Sequence, residues 1–419
     1  MLKRPVGNLI RRRPWSVLVG LSALVTTIAT CGLGSASASS ASGLGAPNPA
    51  RGTPVSVGII TDAGSGTVST GALVEAGARM GVSWANQYAK GLGGHPIKLV
   101  VCENQETPAG GQVCANQMVQ DKVVAVVLPF TGEGAVEVPT ITQAGIPYVT
   151  ISGASSQELT TTGSFALTGG FPADLGAIAL QAKQKGLKKV AMLVSDVPAA
   201  ITGAQTLGGL VFKSAGVGFK VIPVEPGTAD MTPQLQSAVS WGAAAVGITG
   251  DLTLCTSFLK GYQTLSLKLP KYLVGPCVAP SVVQSLGSVL KGSYTAGTSL
   301  TGTKDAATYA AMTKKYAPSV SPNPNVSANQ LSGTESVWAL VSLMTGYTGD
   351  VSASTIQSQL ESRKNVPLPL SGGLTFTCNG TAIPLLKSVC SATTYLGVLT
   401  AKGQIASAQK FNSSALFKS

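Results

Sequence analysis

Six cysteines outside the N-terminal segment carry the clearest chemistry in this chain of 419 residues. An even number of cysteines in an exported chain is typical of disulfides, although six cysteines allow 15 pairings. Taken two by two along the chain, they are 12, 22 and 12 positions apart. This order favours three local pairs, each of which would contribute about 3 kcal/mol. A zinc site is disfavoured, because there is no C-x-x-C and the only histidine is not close to a cysteine pair. The six are Cys102, Cys114, Cys255, Cys277, Cys378 and Cys390.

The single histidine, His95, limits the catalytic chemistry that the chain could perform. It lies in a glycine-rich turn before a predicted strand, whereas a Ser-His-Asp triad would need it near the strand ends that form a cleft. The chain has no G-x-S-x-G elbow and no phosphate-binding G-x-x-x-x-G-K-S/T, and no pair of carboxylates for glycoside hydrolysis stands out. We expect no catalytic residue, no metal and no cofactor. An exported hydrolase is kept as the weaker alternative.

The N-terminal segment has the organisation of an export signal. Five basic residues and no acidic residue occur in it, and an apolar run follows at residues 15–29. The run is shorter than the roughly 20 residues that a membrane-spanning helix needs, and Ala36-Ser37-Ala38 matches an A-x-A cleavage site. Residues 1–38 are therefore predicted to be an export signal. Residues 39–53, rich in Ser, Gly, Ala and Pro, are predicted to be a flexible linker.

Cys31, near the end of the apolar run, leaves the anchoring of the mature chain open. Ile28-Ala29-Thr30-Cys31-Gly32 resembles a bacterial lipobox, in which the cysteine receives lipid after cleavage of the signal. Cleavage after Ala38 would instead discard Cys31 and release the protein. Both outcomes place the chain outside the cytoplasm, either released as an extracellular or periplasmic protein or held by a lipid at the outer face of the cell membrane.

The formal charge of +12 is weak evidence for nucleic-acid binding, because part of it belongs to the export signal. Without the five basic residues of the signal, 24 basic and 17 acidic residues remain, about +7. A nucleic-acid surface requires clustered arginines interleaved with aromatic residues, and the sequence has none. We expect no nucleic-acid partner and interpret the one lysine cluster as a solvated helix end. This cluster is Lys183, Lys185, Lys188 and Lys189.

Strand and helix patterns alternate after Thr53 and position the residues described above. Compact apolar runs predict buried strands, and apolar residues at helical spacing, such as Leu73, Met80 and Trp84, predict helices between them. Two such series of about 100 residues each predict two doubly wound parallel sheets, an α/β fold. The predicted strands are residues 55–61, 97–102, 123–128 and 147–151 in the first series, and 190–194, 219–224, 243–248 and 272–274 in the second.

The last third of the chain breaks this alternation. Its pattern predicts helices at residues 306–316, 328–347 and 352–362, followed by short strands at 374–378 and 394–399. A tail of this kind after two α/β series predicts a chain that returns to complete both lobes.

Several segments follow one another in a recognisable order and spacing. They are Gly93-Gly94-His95-Pro96-Ile97-Lys98-Leu99-Val100-Val101, residues 123–128, Ala144-Gly145-Ile146-Pro147-Tyr148-Val149, Ser152-Gly153-Ala154-Ser155-Ser156, and Leu374-Thr375-Phe376 with Tyr395-Leu396-Gly397-Val398-Leu399. Over nearly all of residues 54–411 the chain resembles the type I periplasmic binding proteins. Within them it is most similar to the leucine/isoleucine/valine-binding-like substrate-binding proteins of bacterial ABC importers. The resemblance implies two lobes joined by a three-strand hinge, with the ligand held in the cleft between them.

The resemblance also implies lobe boundaries and partners. Lobe 1 would comprise residues 54–171 and 299–391, and lobe 2 residues 172–298 and 392–419. The chain, as a monomer, would capture a small polar or carboxylate-bearing solute, amino-acid-like or related, and deliver it to an ABC permease and ATPase complex in the membrane. A receptor that senses its ligand and signals to a membrane partner uses the same fold and remains the alternative.

Ligand-binding residues are expected in the loops beyond the carboxyl ends of the strands, where helix N-termini offer backbone N–H groups. By the resemblance, Thr131, Ala154 and Ser156 match positions that bind the carboxylate and ammonium of an amino acid. Asp251 would hold an ammonium or a hydroxyl group, or would cap the helix that leads to Cys255, and the cap is favoured. The full predicted set is Ser65, Thr67, Phe130, Thr131, Gly132, Ala154, Ser155, Ser156 and Asp251.

Two departures from the family pattern put an α-amino acid ligand in doubt. Where the amino-acid receptors carry an acid that holds the ammonium, this chain has Gly275-Pro276-Cys277-Val278. The aromatic residues that cover the ligand are missing from residues 65–69 and 196–200. We therefore expect a small solute without a mandatory ammonium group, with Phe130 available as an apolar wall.

Overall fold

The first five strands form one parallel sheet with helices between them. The computed structural model describes residues 43–62, 70–299, 303–319 and 328–418. The strand order in this sheet is β2-β1-β3-β4-β5, and every pairing is parallel. Its strands and helices are β1 (Val55–Thr61), α1 (Thr70–Tyr88), β2 (Ile97–Glu103), α2 (Pro108–Gln120), β3 (Val126–Leu128), α3 (Gly134–Gln143), β4 (Tyr148–Thr150), α4 (Ser156–Thr160) and β5 (Ser164–Ala166).

The next five strands form the parallel part of a second sheet. They pair in the order β10-β9-β8-β6-β7. The elements are α5 (Gly170–Gln184), β6 (Lys189–Ser195), α6 (Pro198–Gly203), α7 (Gly209–Ala215), β7 (Gly218–Val224), α8 (Thr232–Ser240), β8 (Ala245–Thr249), α9 (Leu252–Thr264), β9 (Lys271–Leu273), α10 (Pro280–Leu290) and β10 (Tyr294–Gly297).

The remaining chain contributes to both sheets. Helices α11, α12 and α13 supply buried residues to the core that covers one face of the first sheet. Strands β13 and β14 extend the second sheet beyond β10, and both of their pairings are antiparallel. The second sheet is therefore mixed: its strands from β10 to β7 are parallel, as predicted, and two antiparallel strands are added at one edge. The elements are α11 (Lys304–Tyr316), α12 (Ala328–Leu343), α13 (Ala353–Ser362), β11 (Val366–Pro367), β12 (Thr375–Phe376), β13 (Thr393–Leu399) and β14 (Ile405–Asn412).

The α/β class and the two-sheet plan predicted from the sequence are confirmed. The chain passes between the two groups of elements three times, after β5, after β10 and before β13. Four strands were not predicted, namely β5, β10, β11 and β14. The predicted helix at 328–347 ends earlier, at Leu343, and the predicted strand at 374–378 shrinks to Thr375–Phe376. The lobe boundaries stay a prediction, because the described residues belong to one compact unit.

Helix α12 crosses α1 at very short distance. A Cβ atom at Gly77 would overlap the Gln330 carbonyl group, and one at Gly333 would overlap the Val74 carbonyl group. Glycine at both positions therefore lets the two backbones approach. This crossing holds the C-terminal helices against the first sheet.

All three local disulfides predicted from the sequence are confirmed. Cys102 on β2 bonds to Cys114 on α2, Cys255 on α9 bonds to Cys277 after β9, and Cys378 bonds to Cys390. Residues 1–38, with Cys31, lie outside the described residues. Within the described part, no helix is both long enough and apolar enough to span a membrane.

Glu335 on α12 is a carboxyl group buried in this core. It is 3% exposed, and its Oε1 atom has no hydrogen-bond partner in the described part of the chain. Burial raises its pKa from 4.5 to about 8. The folded protein therefore favours the protonated form of Glu335. As a result, the free energy of unfolding is highest below pH 4.5 and falls as the pH rises through 8.

We expect Glu335→Gln to stabilise the protein at pH 8 by on the order of 2–4 kcal/mol and much less at pH 4.5. The amide keeps the shape of the neutral acid but cannot ionise. Urea denaturation at the two pH values measures the difference, with Glu361→Gln on the exposed side of α13 as the control. An equal effect at both pH values would contradict the assignment of a neutral Glu335.

Candidate functional site

Asp62 is connected by hydrogen bonds to the loops that follow β2 and β3. The chain leaves β1 towards β2 on one side and continues through β3 on the other, so a crevice opens beyond the carboxyl ends of β1 and β3. Asp62 Oδ2 accepts a hydrogen bond from the backbone N–H of Gly132 at 3.0 Å. Asp62 Oδ1 accepts hydrogen bonds from Thr131 Oγ1 at 2.9 Å and from Asn104 Nδ2 at 2.6 Å.

Glu137 on α3 lies beneath these loops and shares their donors. Its Oε1 atom is 3.1 Å from Asn104 Nδ2 and 3.3 Å from Thr131 Oγ1, and its Oε2 atom accepts a hydrogen bond from Tyr148 OH at 3.1 Å. No cation pairs with Glu137 in the described part of the chain. Burial raises the pKa of Glu137 to about 7 against the hydrogen bonds from Asn104 and Tyr148, and nearby carboxylates add to the rise. A large fraction of Glu137 is therefore protonated at neutral pH.

Glu158 on α4 closes the loop that follows β4. Its Oε2 atom accepts hydrogen bonds from the backbone N–H groups of Ala154 and Ser155, at 3.0 and 2.8 Å, and from Ser155 Oγ at 2.9 Å. Together with the hydrogen bond from Glu158 N to Ser155 Oγ, this is a capping box. Burial raises the pKa of Glu158 against these bonds. Tyr148 OH also lies 3.4 Å from Glu158 Oε1 and so connects Glu158 with Glu137.

The predicted residues of the loop after β3 lie in this crevice. Thr131 is 1% exposed, and its hydroxyl group is bonded within the network described above. Gly132 is exposed, but its N–H group is bonded to Asp62. Phe130 is 51% exposed and supplies apolar surface there. The loop thus presents one apolar ring and donors that are already bonded to a protein carboxylate.

The predicted residues of the loop after β4 show the same arrangement. The N–H groups of Ala154 and Ser155 are both bonded to Glu158. Ser156 is exposed, and its Oγ atom donates to Gln157 Oε1 at 2.9 Å. Ser65 and Thr67 lie outside the described residues. The ligand-binding role of all these residues stays a prediction.

The carboxyl end of the second sheet carries a small cavity of about 90 Å³ beyond β8 and β9. Asp174, near the start of α5, lines it and accepts a hydrogen bond from Thr394 Oγ1 at 2.9 Å. Burial raises the pKa of Asp174 to about 7 against this hydrogen bond. Thr249 at the end of β8 also lines the cavity, and its buried hydroxyl oxygen has no hydrogen-bond partner in the described part of the chain. This end of the sheet therefore offers one unpaired hydroxyl group and one carboxyl group that titrates near neutral pH.

Asp251 serves as the N-cap of α9, as favoured from the sequence. Its Oδ1 atom accepts a hydrogen bond from Leu254 N at 2.9 Å. The disulfide between Cys255 and Cys277 joins α9 to the short 3₁₀ turn Gly275–Val278 that follows β9. The segment in which the amino-acid receptors carry their ammonium-binding acid is thus held by a covalent bond and contains no acidic side chain.

Five residues that organise these loops were not predicted from the sequence. One signal was present, because Ser155 and Glu158 have the S-x-x-E spacing of a capping box. Asp174 lies beyond the first turn of α5, where the helix dipole gives no reason to expect an acid. Asn104 and Glu137 carry no local signal, because they are 33 positions apart and only the fold brings them together. The missed residues are Asp62, Asn104, Glu137, Glu158 and Asp174.

His95 lies away from the crevice. His95 Nδ1 lies 2.8 Å from the Thr53 carbonyl oxygen, and Nε2 lies 3.3 Å from the Gly349 carbonyl oxygen. The residue precedes β2 and so lies at the opposite end of the sheet from the crevice. The described ranges contain no group of three His, Cys, Asp or Glu side chains that could hold a metal ion.

A chain with two such sheets, each with polar loops beyond the carboxyl ends of its strands, can be compared with known families. The family model described as periplasmic binding protein matches residues 54–386. The chain belongs to the periplasmic binding protein family. No curated protein matches it. This periplasmic binding protein has the type I fold, as its similarity to solved leucine/isoleucine/valine-binding structures shows.

Three solved structures illustrate the similarity. A possible leucine/isoleucine/valine-binding protein from Rhodopirellula baltica is 16% identical over 88% of this chain and 100% of its own, with a TM-score of 0.67. The branched-chain amino acid substrate-binding protein LivJ from Streptococcus pneumoniae, in complex with isoleucine, is 18% identical over 86% and 99%, with a TM-score of 0.65. A solute-binding protein of an ABC transporter from R. palustris, in complex with 4-hydroxybenzoate, is 19% identical over 86% and 97%, with a TM-score of 0.66.

We expect Glu158→Ala to lower the free energy of unfolding by on the order of 2 kcal/mol, because it leaves the N–H groups of Ala154 and Ser155 without their charged acceptor. Gln157→Ala, one position away on the same helix, removes only a surface hydrogen bond and should cost well under about 1 kcal/mol. Urea denaturation compares the two variants. Equal losses would show that the capping box does not hold this loop.

Proposed function

We propose that this chain is an exported solute-binding protein that captures a small polar or carboxylate-bearing solute in the cleft between its two lobes. It would then deliver the solute to an ABC permease and ATPase complex. The lobes would be residues 54–171 with 299–391 and residues 172–298 with 392–419. The observation that carries the proposal is the match to the family over residues 54–386, in a chain whose two sheets both end in polar loops. Binding rather than catalysis fits the position of His95 away from these loops.

The ligand of this protein is best sought among solutes that donate hydrogen bonds. At the first sheet, a ligand carboxylate would compete with Asp62 and Glu158 for the N–H groups of Gly132 and Ala154. A hydroxyl, amide or ammonium group would avoid this competition, because it donates hydrogen bonds and carboxylate oxygens accept them. Solved relatives of the same fold hold isoleucine in one case and 4-hydroxybenzoate in another. The side chains of the cleft, rather than the fold, therefore select the solute.

Transport would follow from a shift between open and closed arrangements of the lobes. A solute that contacts both carboxyl ends stabilises the closed form by as much as its affinity for that form exceeds its affinity for the open form. Asp174 and Thr249 at the second sheet are the polar groups placed to make the second set of contacts. The closed form would be the form that docks on the permease.

A thermal-shift screen against amino acids, short carboxylates, amides and sugars tests the binding role directly. A true ligand at 100 times its dissociation constant should stabilise the folded protein by about 2.7 kcal/mol. Protein shown to be free of ligand by native mass spectrometry is required for the screen. The absence of a shift with every small solute would count against a binding function.

The position of the cleft is tested by Ser156→Trp, which should abolish binding of the solute found in the screen. Ser156 is exposed at the start of α4, so an indole there fills the crevice without disturbing the core. Ser358→Trp, at an exposed position on α13, is the matched control and should leave the affinity unchanged. Calorimetric titration gives both affinities, and an unchanged affinity in Ser156→Trp would contradict this placement of the ligand.

The N-terminal residue of the mature protein distinguishes a lipid-anchored chain from a released one. A lipid anchor predicts a lipidated peptide that begins at Cys31, and release predicts an unmodified peptide that begins at Ser39. Mass spectrometry of the protein from cells distinguishes the two.

A further inference from the structure

A second cavity lies at the amino end of the second sheet, opposite the proposed solute cleft. It has a volume of about 560 Å³, within the range of roughly 300–1,000 Å³ found for small-molecule sites. The ends of α9 and α10 and the first residues of β9 and β10 form its wall. Three lysines and no acidic residue line it, namely Lys268, Lys271 and Lys291.

Lys271 is the unusual member of this group, because it is a buried cation. It is 7% exposed, and its Nζ atom lies 4.5 Å from the centre of the Tyr262 ring. In the described part of the chain no carboxylate lies within ion-pair distance of Lys271. Burial lowers its pKa. A buried ammonium that faces a cavity without a counter-ion is costly and would be stabilised by an anion from outside.

The charged residues around the cavity also make this end of the second sheet positive. The five acidic residues of 172–298 all lie in loops beyond the carboxyl ends of strands or at helix starts, and they are Asp174, Asp196, Glu225, Asp230 and Asp251. At the amino end, Lys185 donates from Nζ to Tyr294 OH at 2.7 Å, and Tyr294 lines the cavity. Lys185, one of the four lysines of the cluster described from the sequence, therefore lies beside this cavity. With no nearby acid, the lysines produce a positive potential that attracts anions.

We propose that this cavity is a second binding site, specific for a phosphate group carried by a soluble phosphate ester or by a lipid headgroup. Lys271 is the buried anchor, and Lys268 and Lys291 are the flanking cations. Three cations without a carboxylate favour a group that offers several anionic oxygens, which a phosphate does and which lysine ammonium groups bind well. The cavity has room for the remainder of the ester beyond the phosphate.

The test uses the mature protein at low salt and three probes: inorganic phosphate, glycerol 3-phosphate, and phosphatidylcholine vesicles that contain phosphatidylglycerol. Sodium chloride at the same ionic strength and pure phosphatidylcholine vesicles are the blanks. Lys271→Met should weaken binding of the effective probe by at least about tenfold. Lys260→Met, at an exposed position of α9 outside the cavity, should leave binding unchanged.

Each outcome decides the proposal. Binding of the soluble probes, or of the anionic vesicles alone, supports the site and identifies the source of the phosphate group, provided that it depends on Lys271. Binding by none of the probes, or equal binding in the Lys271 and Lys260 variants, overturns it. Lys271→Met should fold at least as well as the natural protein, since it replaces a buried unpaired cation by an apolar chain. Should it fail to fold, Lys291→Gln at an exposed rim position must show the loss instead.

Discussion

Burial of carboxyl groups without cations is the constraint on which the candidate cleft depends. Glu137 and Glu158 are buried beside Asp62 beyond the carboxyl ends of the first sheet, and both accept hydrogen bonds from neutral donors. Several buried charges this close would be expensive, so the arrangement is stable only when part of it is protonated. Burial raises the pKa of Glu137 to about 7 and also raises the pKa of Glu158, so both groups favour the protonated form. The fully buried Tyr148 then joins the two halves of the network.

This constraint gives the two ends of the molecule opposite chemistry. At the carboxyl ends of both sheets, carboxyl groups occupy the donors that a ligand anion would otherwise use. At the amino end of the second sheet, the buried Lys271 faces a cavity without an acid. In each place a titratable side chain is buried without an ion-pair partner among the described residues, as Glu137 and Lys271 show. Such groups seldom improve stability, and their cost is a reason to assign them to binding.

How far the sequence predicts this protein depends on whether a signal is local. The buried strands, most helices and all three disulfides follow from short-range patterns, and they were predicted. Short strands such as β10 and the edge strand β14 were missed, because they are defined by pairing with distant segments. The site shows the same division. The Asp251 cap is local and was favoured, whereas the contact between Asn104 and Glu137 joins residues 33 positions apart and has no trace in the sequence.

The protonation of Glu137 tests this account most directly. In protein labelled with ¹³C at the glutamate carboxyl carbons, the resonance of Glu137, identified by its loss in Glu137→Gln, can be followed by NMR as the pH is changed. The account predicts a titration midpoint near 7. A midpoint near the ordinary value of 4.5 would mean that the carboxyl group is solvated and ionised at neutral pH. The buried network described here would then not exist.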